Sequence, residues 1–311
     1  MAGRMPTLNR TLLAEHAQHT LDGVTERAFH VEVEGDRLYA LMTEPADPTV
    51  ATDLGFVAVH SFGLEVLTLR RAERGVARAL AAAGHAVLFV HRRGFGDSEG
   101  DPNEVTLERQ LSDLRAAREH LLSASAAGRV GLVGARFGGL LAGLLAREGG
   151  VDRLALVQPA VSGARWTRSF LREMSVVRMA DPDGSDRRGT DELLADLHRD
   201  GVLDVLGYGL PAALVDALRE VNLAADAGSF GGEALIVQVA KRPALAKDLE
   251  ALRDRLEAGG GTVRTEVLRE PAGSTFGSAS FVATTKDVNV RTDVMEPVVA
   301  DLGRIVAEWA R

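Results

Sequence analysis

The chain has 311 residues, 46% of them hydrophobic, which is enough to bury a sizeable core. Its formal net charge of -8 at pH 7 argues against nucleic acid or an anionic membrane surface as a partner. The absence of cysteine excludes disulfide bonds, thiolate nucleophiles and zinc–thiolate sites. Residues 1–10 lack a signal-peptide core, and no apolar run approaches the roughly 20 residues of a membrane span. These features predict a soluble cytoplasmic protein.

The first part of the chain is weakly patterned. Residues 1–26 are polar, and both a peripheral helix and a loose arm are compatible with them. Apolar and polar residues then alternate over residues 29–34 and again over 37–42, with Gly35-Asp36 between them. This pattern predicts a hairpin at a sheet edge, followed by a loop over residues 45–53.

From residue 55 onward, short apolar runs alternate with stretches of helical periodicity. Such runs are typical of parallel strands covered on both faces, and the alternation favours crossover connections. The sequence therefore predicts an α/β fold whose mostly parallel sheet is covered by helices on both faces. The predicted strands cover residues 55–60, 86–91, 130–135, 154–159, 234–240 and 262–268, and the predicted helices cover residues 66–83, 104–127, 244–258 and 294–310.

One segment breaks this alternation. Residues 161–230 contain helix-like stretches around residues 191–199 and 211–223 and a polar loop over residues 181–190. We interpret residues 161–230 as a helical cap inserted into an α/β core, which is formed by residues 1–160 and 231–311.

The most specific motif lies where the strand over residues 130–135 meets an apolar, helix-like stretch. Gly134-x-Arg136-x-Gly138 has the spacing of the G-x-S-x-G nucleophile elbow, a strained strand-to-helix turn that presents a serine. Arginine is the residue at the tip here, and it cannot act as a nucleophile because its guanidinium group stays protonated. It can bind a carboxylate or phosphate through two parallel hydrogen bonds, or stabilise a developing oxyanion.

Two further motifs precede the elbow: His60-Ser61-Phe62-Gly63 after the first central strand, and RGFGDSEG over residues 93–100. Their order resembles the α/β-hydrolase superfamily, which has an oxyanion loop and an R-G-x-G-x-S-x-G turn at these points. A closer resemblance is to the exosortase A system-associated hydrolases of type 2, which are related to serine aminopeptidase-like hydrolases. It is carried by residues 134–139, by Gln158-Pro159 with Ser162-Gly163, by the block at residues 207–211 and by the turn over residues 239–243. This resemblance implies arginine at the elbow but does not supply a reaction.

The resemblance also defines where a Ser-His-Asp triad would stand. It would need serine at position 136, an acid after the strand ending at Ala240, and histidine after the strand ending at Leu268. The chain instead has Arg136, then Lys241-Arg242-Pro243, then Arg269-Glu270-Pro271, and no histidine follows His198. We therefore predict that ordinary acyl-enzyme hydrolysis at the elbow has been lost.

Two roles are open for Arg136. It could anchor an anionic group of a substrate beneath the cap, helped by the N–H groups at the start of the following helix. Alternatively, it could pair with Glu270 or another acid and hold an inactive site together. Lys241 and Arg242 are either solvated or, with Arg136, create a positive field in the crevice.

Two residues of the oxyanion loop are further catalytic candidates. His60 could act as a general acid or base, or it could simply be hydrogen-bonded to the backbone of its loop. Ser61 is the hydroxyl that could serve as a displaced nucleophile, although proximity to histidine in sequence does not orient it. The candidate substrate-binding residues, each of which could equally be packing or solvated, are Phe62, His91, Arg92, Phe137, Gln158, Trp166 and Glu270.

No motif for a metal, a nucleotide or another cofactor is present, so we expect none to be required. The first interpretation is a hydrolase-fold enzyme without a Ser-His-Asp triad that acts on a small anionic or acyl-type substrate. The alternatives are an inactive pseudohydrolase that binds a ligand or partner, and a cofactor-free lyase, isomerase or cyclase. A homodimer is compatible with the sequence.

Overall fold

The computed structural model describes residues 17–179, 188–205, 207–226, 229–271, 276 and 289–311. The strands are β1 (Gln18–Leu21), β2 (Val24–Val33), β3 (Asp36–Pro45), β4 (Leu54–Val59), β5 (Val87–Val90), β6 (Arg129–Ala135), β7 (Arg153–Val157), β8 (Val202–Val205), β9 (Tyr208–Pro211), β10 (Glu233–Ala240) and β11 (Thr262–Arg269). One sheet has the strand order β1-β2-β3-β5-β4-β6-β7-β10-β11, and β8 and β9 form a separate hairpin.

The larger part of this sheet is parallel. Strands β5, β4, β6, β7, β10 and β11 run in the same direction. Every residue of β4 and β5 is buried, and so are the interior residues of β7 and β10. Strands covered on both faces need apolar side chains on both sides, which is why continuous apolar runs identified them. The predicted mostly parallel sheet is confirmed.

Three antiparallel strands, β1 to β3, extend the sheet at one edge, and β3 pairs with β5. The predicted hairpin is present, although β2 and β3 are longer than expected. The prediction of a helix or loose arm is wrong for residues 18–21, which form β1, and for residues 24–26, which begin β2. All four residues of β1 are exposed, so they lack the apolar alternation that would identify a strand. Residues 1–16 of the same prediction lie outside the described residues.

The helices are α1 (Leu64–Ala82), α2 (Leu107–Ala124), α3 (Arg136–Ala146), α4 (Gly163–Met179), α5 (Thr190–Asp200), α6 (Ala212–Arg219), α7 (Leu223–Asp226), α8 (Lys247–Ala258) and α9 (Asn289–Ala310). Helices α1 and α9 contribute to the core on one face of the sheet, whereas α2, α3 and α8 contribute to the core on the other. No helix in the described part of the chain is long and apolar enough to cross a membrane. The expected loop over residues 45–53 includes a 3₁₀ turn at Pro48–Val50.

The connection from β7 to β10 contributes no strand to the large sheet in its described part. It contains α4 to α7 and the β8–β9 hairpin, which was not predicted because strands of four residues are too short to show a pattern. The division of the chain into a core and a cap stays a prediction. Residues 181–187 of the predicted polar loop lie outside the described residues.

The turn between β6 and α3 depends on close backbone packing. A Cβ atom on Gly138 would lie 2.2 Å from the carbonyl oxygen of Val59, and one on Gly134 would lie 2.4 Å from the carbonyl oxygen of Gly138. A side chain at position 138 would therefore separate α3 from the end of β4, and one at position 134 would separate α3 from the end of β6. This close approach is the physical reason for the glycine spacing around Arg136.

We expect Gly138→Ala to lower the free energy of unfolding by about 3 kcal/mol, because its methyl group would overlap backbone atoms. Gly143→Ala on the same helix is the matched control, since a Cβ there would meet the flexible Leu223 side chain at 2.9 Å. Gly143→Ala should lower the free energy of unfolding by about 1 kcal/mol or less, because alanine favours the helix more than glycine does. Urea unfolding followed by circular dichroism measures both variants, and equal losses would contradict this account of the turn.

Candidate functional site

Arg136 stands at the carboxyl edge of the parallel strands. Strand β6 ends at Ala135, α3 begins at Arg136, and the Arg136 backbone has a φ of 51°. This left-handed conformation is strained for a residue with a side chain, so it persists only because the surrounding packing imposes it. Ligands of open α/β sheets bind at this edge, which makes the elbow the natural centre of a candidate site.

A buried glutamate contacts Arg136 from the first turn of α1. The carboxylate of Glu65 accepts hydrogen bonds from Arg136 Nε at 3.2 Å, the Phe137 backbone N–H at 3.2 Å and Trp166 Nε1 at 3.0 Å. Its side chain is only 3% exposed. Burial raises the pKa of the Glu65 carboxyl group, while Arg136 and the donors from Trp166 and Phe137 oppose that rise.

Glu65 was missed by the sequence analysis. An acidic residue in the first turn of a helix is ordinary, because it complements the helix dipole, so nothing local marks it as a partner of the elbow. Of the alternatives for Arg136, the ion pair exists, but its acid is Glu65 and not Glu270.

A cavity of about 710 Å³ lies beside Arg136. Of the sequence-predicted site residues, it is lined by Arg136, Gln158 and Glu270. The other charged residues in its wall are Arg172, Glu173, Lys241 and Arg242. The charged groups of Arg172, Lys241 and Arg242 have no hydrogen bond or ion pair with any other residue in the described part of the chain. The cavity wall therefore contains cationic groups that no described acidic residue pairs with.

The polar groups of the cavity wall are partly used in holding it together. Glu270 Oε1 accepts a hydrogen bond from the Phe276 N–H at 2.8 Å. Gln158 Oε1 accepts one from the Val239 N–H at 2.9 Å, and the Gln158 backbone has a φ of 45°. These contacts join the ends of neighbouring strands and leave the cationic side chains as the free groups of the wall.

His60 and Ser61 do not line this cavity; they surround a second buried glutamate on α1. His60 Nδ1 lies 3.0 Å from Glu73 Oε2, and the Ser61 hydroxyl donates to Glu73 Oε1 at 2.7 Å. Burial lowers the pKa of His60, and the contact with Glu73 opposes this shift. Although burial by itself would raise the pKa of Glu73, donors from His60 and Ser61 lower it. Ser61 and His60 thus share an acceptor and do not form a nucleophile–base pair.

The remaining candidates also lie outside the cavity wall. Phe62, Phe137 and Trp166 pack together in an aromatic cluster in which the Phe137 and Trp166 ring centroids are 4.4 Å apart. Arg92 is buried and donates to the backbone oxygens of His60 at 2.8 Å and Ser61 at 3.3 Å. Burial lowers its pKa to about 10.

His91 completes this group of candidates. Its Nδ1 accepts a hydrogen bond from the Asp97 N–H at 3.3 Å, and its ring contacts His60 with a centroid distance of 4.8 Å. Burial, reinforced by His60 and nearby arginines, lowers the pKa of His91 to about 3. Among the described residues, no group of three or more histidines and carboxylates could hold a metal ion.

Comparison with known proteins agrees with this architecture. A family model described as X-Pro dipeptidyl-peptidase (S15 family) matches residues 14–201. No curated protein sequence is similar enough to the chain to count as a match.

Solved structures give a broader likeness. Est1E from Butyrivibrio proteoclasticus, with bound ferulic acid, is 17% identical to this chain and superimposes with a TM-score of 0.60. The match covers 91% of this chain and 100% of the Est1E chain. Proline iminopeptidase from Mycobacterium smegmatis is 15% identical with a TM-score of 0.54, again over 91% and 100% of the two chains. A serine hydrolase homologue from Coxiella burnetii is 14% identical with a TM-score of 0.52 over 91% and 96%. At these identities the likeness establishes the fold, and the predicted α/β-hydrolase fold is confirmed.

We expect acidification below about pH 6.5 to destabilise the protein, because His91 takes up a proton near that pH when unfolded and resists it when folded. The folded state then binds fewer protons, so the unfolding free energy falls as pH drops from about 6.5 towards 3. One such group contributes up to about 1.4 kcal/mol per pH unit.

His91→Asn, which keeps an acceptor near Nδ1, should reduce this loss between pH 7 and pH 5 in urea titrations. His198→Asn is the control. The hydrogen bond with Asp216 raises the pKa of His198, so protonation of His198 stabilises the folded state as the pH falls. The control should leave the acid-induced loss unchanged or larger. A His91→Asn profile that runs parallel to the wild type would contradict the assignment.

Proposed function

The chain belongs to the X-Pro dipeptidyl-peptidase (S15) family, and we propose that it is a hydrolase-fold protein that binds a small anionic ligand in the cavity beside Arg136. The observation that carries this proposal is the uncompensated positive charge of the cavity wall. Arg172, Lys241 and Arg242 contribute three cationic groups without an ion-pair partner in the described part of the chain, and Arg136 contributes a fourth that is paired with Glu65. The carboxylates in the wall are those of Glu173 and Glu270.

The charge balance is local and opposite in sign to that of the whole molecule. The chain has a formal net charge of -8, so a cationic cavity concentrates anions where the rest of the surface repels them. The volume of about 710 Å³ is typical of sites for small molecules. We therefore propose small anions of metabolite size as the ligands of this cavity, and carboxylates as the first class to test.

Arg136 is suited to the recognition step. Its Nε donates to Glu65, and its Nη1 and Nη2 atoms have no hydrogen-bond partner in the described part of the chain. The side chain lines the cavity and is 21% exposed. A guanidinium group with two free donors on one edge suits bidentate binding of a carboxylate.

We further propose that arginine takes the position of the elbow serine and that the site does not form an acyl-enzyme. The Phe137 N–H, which follows the elbow residue, corresponds to an oxyanion donor in hydrolases, and it is engaged by Glu65. The hydroxyl of Ser61 is engaged by Glu73. The likeness to exosortase A system-associated hydrolases of type 2 belongs to this proposal and rests on the sequence motifs.

A second candidate function is hydrolysis without a serine nucleophile. Glu173 and Glu270 share the cavity with Arg136, so a carboxylate could activate water while the guanidinium group stabilises an oxyanion. The peptidase family to which the chain belongs favours this candidate.

In either case, we propose a cytoplasmic protein in which residues 161–230 act as a cap over the site.

We expect the wild-type protein to bind di- and tricarboxylates more tightly than monocarboxylates, measured by calorimetry with acetate, succinate and citrate at low ionic strength. Arg172→Ala and the double variant Lys241→Ala/Arg242→Ala should each weaken citrate binding by about three- to tenfold, because each removes cationic charge from the cavity wall, and added salt should reduce the difference.

Arg168→Ala is the matched control, since Arg168 lies on the same helix as Arg172 but does not line the cavity and is paired with Asp191 at 2.9 Å. It should bind citrate like the wild type. Variants of the cavity wall that also retain wild-type affinity would contradict the proposal.

For the catalytic question, we expect no burst of p-nitrophenol from p-nitrophenyl acetate or butyrate and no labelling by a fluorophosphonate probe. Labelling of Ser61 would overturn the claim that serine chemistry is absent. Steady turnover that is lost in Glu270→Gln or Glu173→Gln but kept in Ser61→Ala would favour the second candidate over simple binding.

A further inference from the structure

The Glu65 carboxylate accepts a hydrogen bond from the backbone N–H that directly follows the elbow residue. The N–H of the residue after the elbow is one of the two backbone donors of an oxyanion hole, and here that N–H belongs to Phe137 and donates to Glu65. It also lies at the start of α3, where the helix dipole favours negative charge. Two side-chain donors, Arg136 Nε and Trp166 Nε1, meet at the same carboxylate.

The surroundings hold this carboxylate in place. Glu65 follows Gly63, whose backbone has a φ of 53° and where a Cβ would lie 2.9 Å from the Phe170 ring. This turn directs the first residues of α1 towards the elbow, and the Glu65 side chain is 3% exposed. All three of its partners are donors, which is the arrangement that an ionised carboxylate requires.

We propose that Glu65 is the resident anion of the elbow: its carboxylate occupies the oxyanion position and closes it to external ligands. The contact is autoinhibitory with respect to acyl chemistry at the elbow, whatever residue stands at position 136. It also fixes the guanidinium group of Arg136 through Nε, so that only its Nη edge is available to a ligand in the cavity. This inference does not depend on ligand binding in the cavity.

The test is chemical rescue of Glu65→Ala with acetate at pH 7. The substitution removes the CH₂–COO⁻ end of the side chain, and acetate has the same heavy atoms and the same charge. We expect Glu65→Ala to lower the melting temperature and 100 mM acetate to restore about 2–4 °C of the loss. Acetamide, which has the same shape but no charge, and equimolar chloride should restore none.

Glu65→Gln is the matched control, because its carboxamide fills the same space and leaves no room for acetate. The wild type and Glu65→Gln should shift by less than about 1 °C in acetate. If Glu65→Ala does not fold on expression, its refolding yield with acetate and with acetamide is compared instead, and only acetate should raise the yield.

Equal effects of acetate on all three proteins, or equal effects of acetate and acetamide on Glu65→Ala, would overturn the inference. Failure of this inference and failure of the proposed function give different results in the two experiments. If the wild type fails to bind citrate but acetate rescues Glu65→Ala, the cavity proposal fails and the resident anion stands.

Discussion

The arrangement around the elbow depends on one buried carboxylate. Glu65 joins the first turn of α1 to the start of α3 and, through Trp166, to α4. Three parts of the chain that are far apart in sequence thus meet at a single charged group. A buried charge is tolerated only when it is paired and hydrogen-bonded, and removing it would leave Arg136 without its acid in a site that is largely shielded from water.

Helix α1 carries a second buried carboxylate, Glu73, which is also surrounded by polar partners. It accepts hydrogen bonds from the Ser61 hydroxyl and backbone N–H and lies 3.0 Å from His60 Nδ1. The two glutamates therefore engage the groups near the elbow that could have served as nucleophile, base or oxyanion donor. His60 Nδ1, the Ser61 hydroxyl and the Phe137 N–H are thus all in contact with buried carboxylates.

The free charges lie elsewhere, in the cavity between the ends of the central strands and α4. Arg136 links the two regions, because its Nε faces the buried carboxylate while its side chain also lines the cavity. The glycine packing of α3 against β4 holds this arginine at a φ of 51° and so determines where its guanidinium group can reach. The strained turn therefore places a cationic side chain at the carboxyl edge of the parallel strands.

Much of the architecture could be predicted from the sequence, because it depends on periodicity. Buried parallel strands appear as apolar runs, and the Gly134-x-Arg136-x-Gly138 frame marks a turn whose close packing excludes side chains. The arginine at position 136, and the residues that stand where the acid and histidine of a triad would be expected, could also be identified from the sequence. Strand β1 and the β8–β9 hairpin were missed because an exposed strand and four-residue strands show no periodic signal.

The partners of the site residues were decided by the tertiary structure alone. Arg136 and Glu65 are 71 positions apart, and nothing in the local pattern of α1 distinguishes Glu65 from an acidic residue that favours a helix start. His60 and Ser61 are adjacent in sequence, yet both turn towards Glu73 and away from the cavity. Sequence therefore determined which chemical groups reach the carboxyl edge of the sheet. Only packing decided which of them neutralise one another and which remain free for a ligand, because pairing depends on distances that periodicity does not encode.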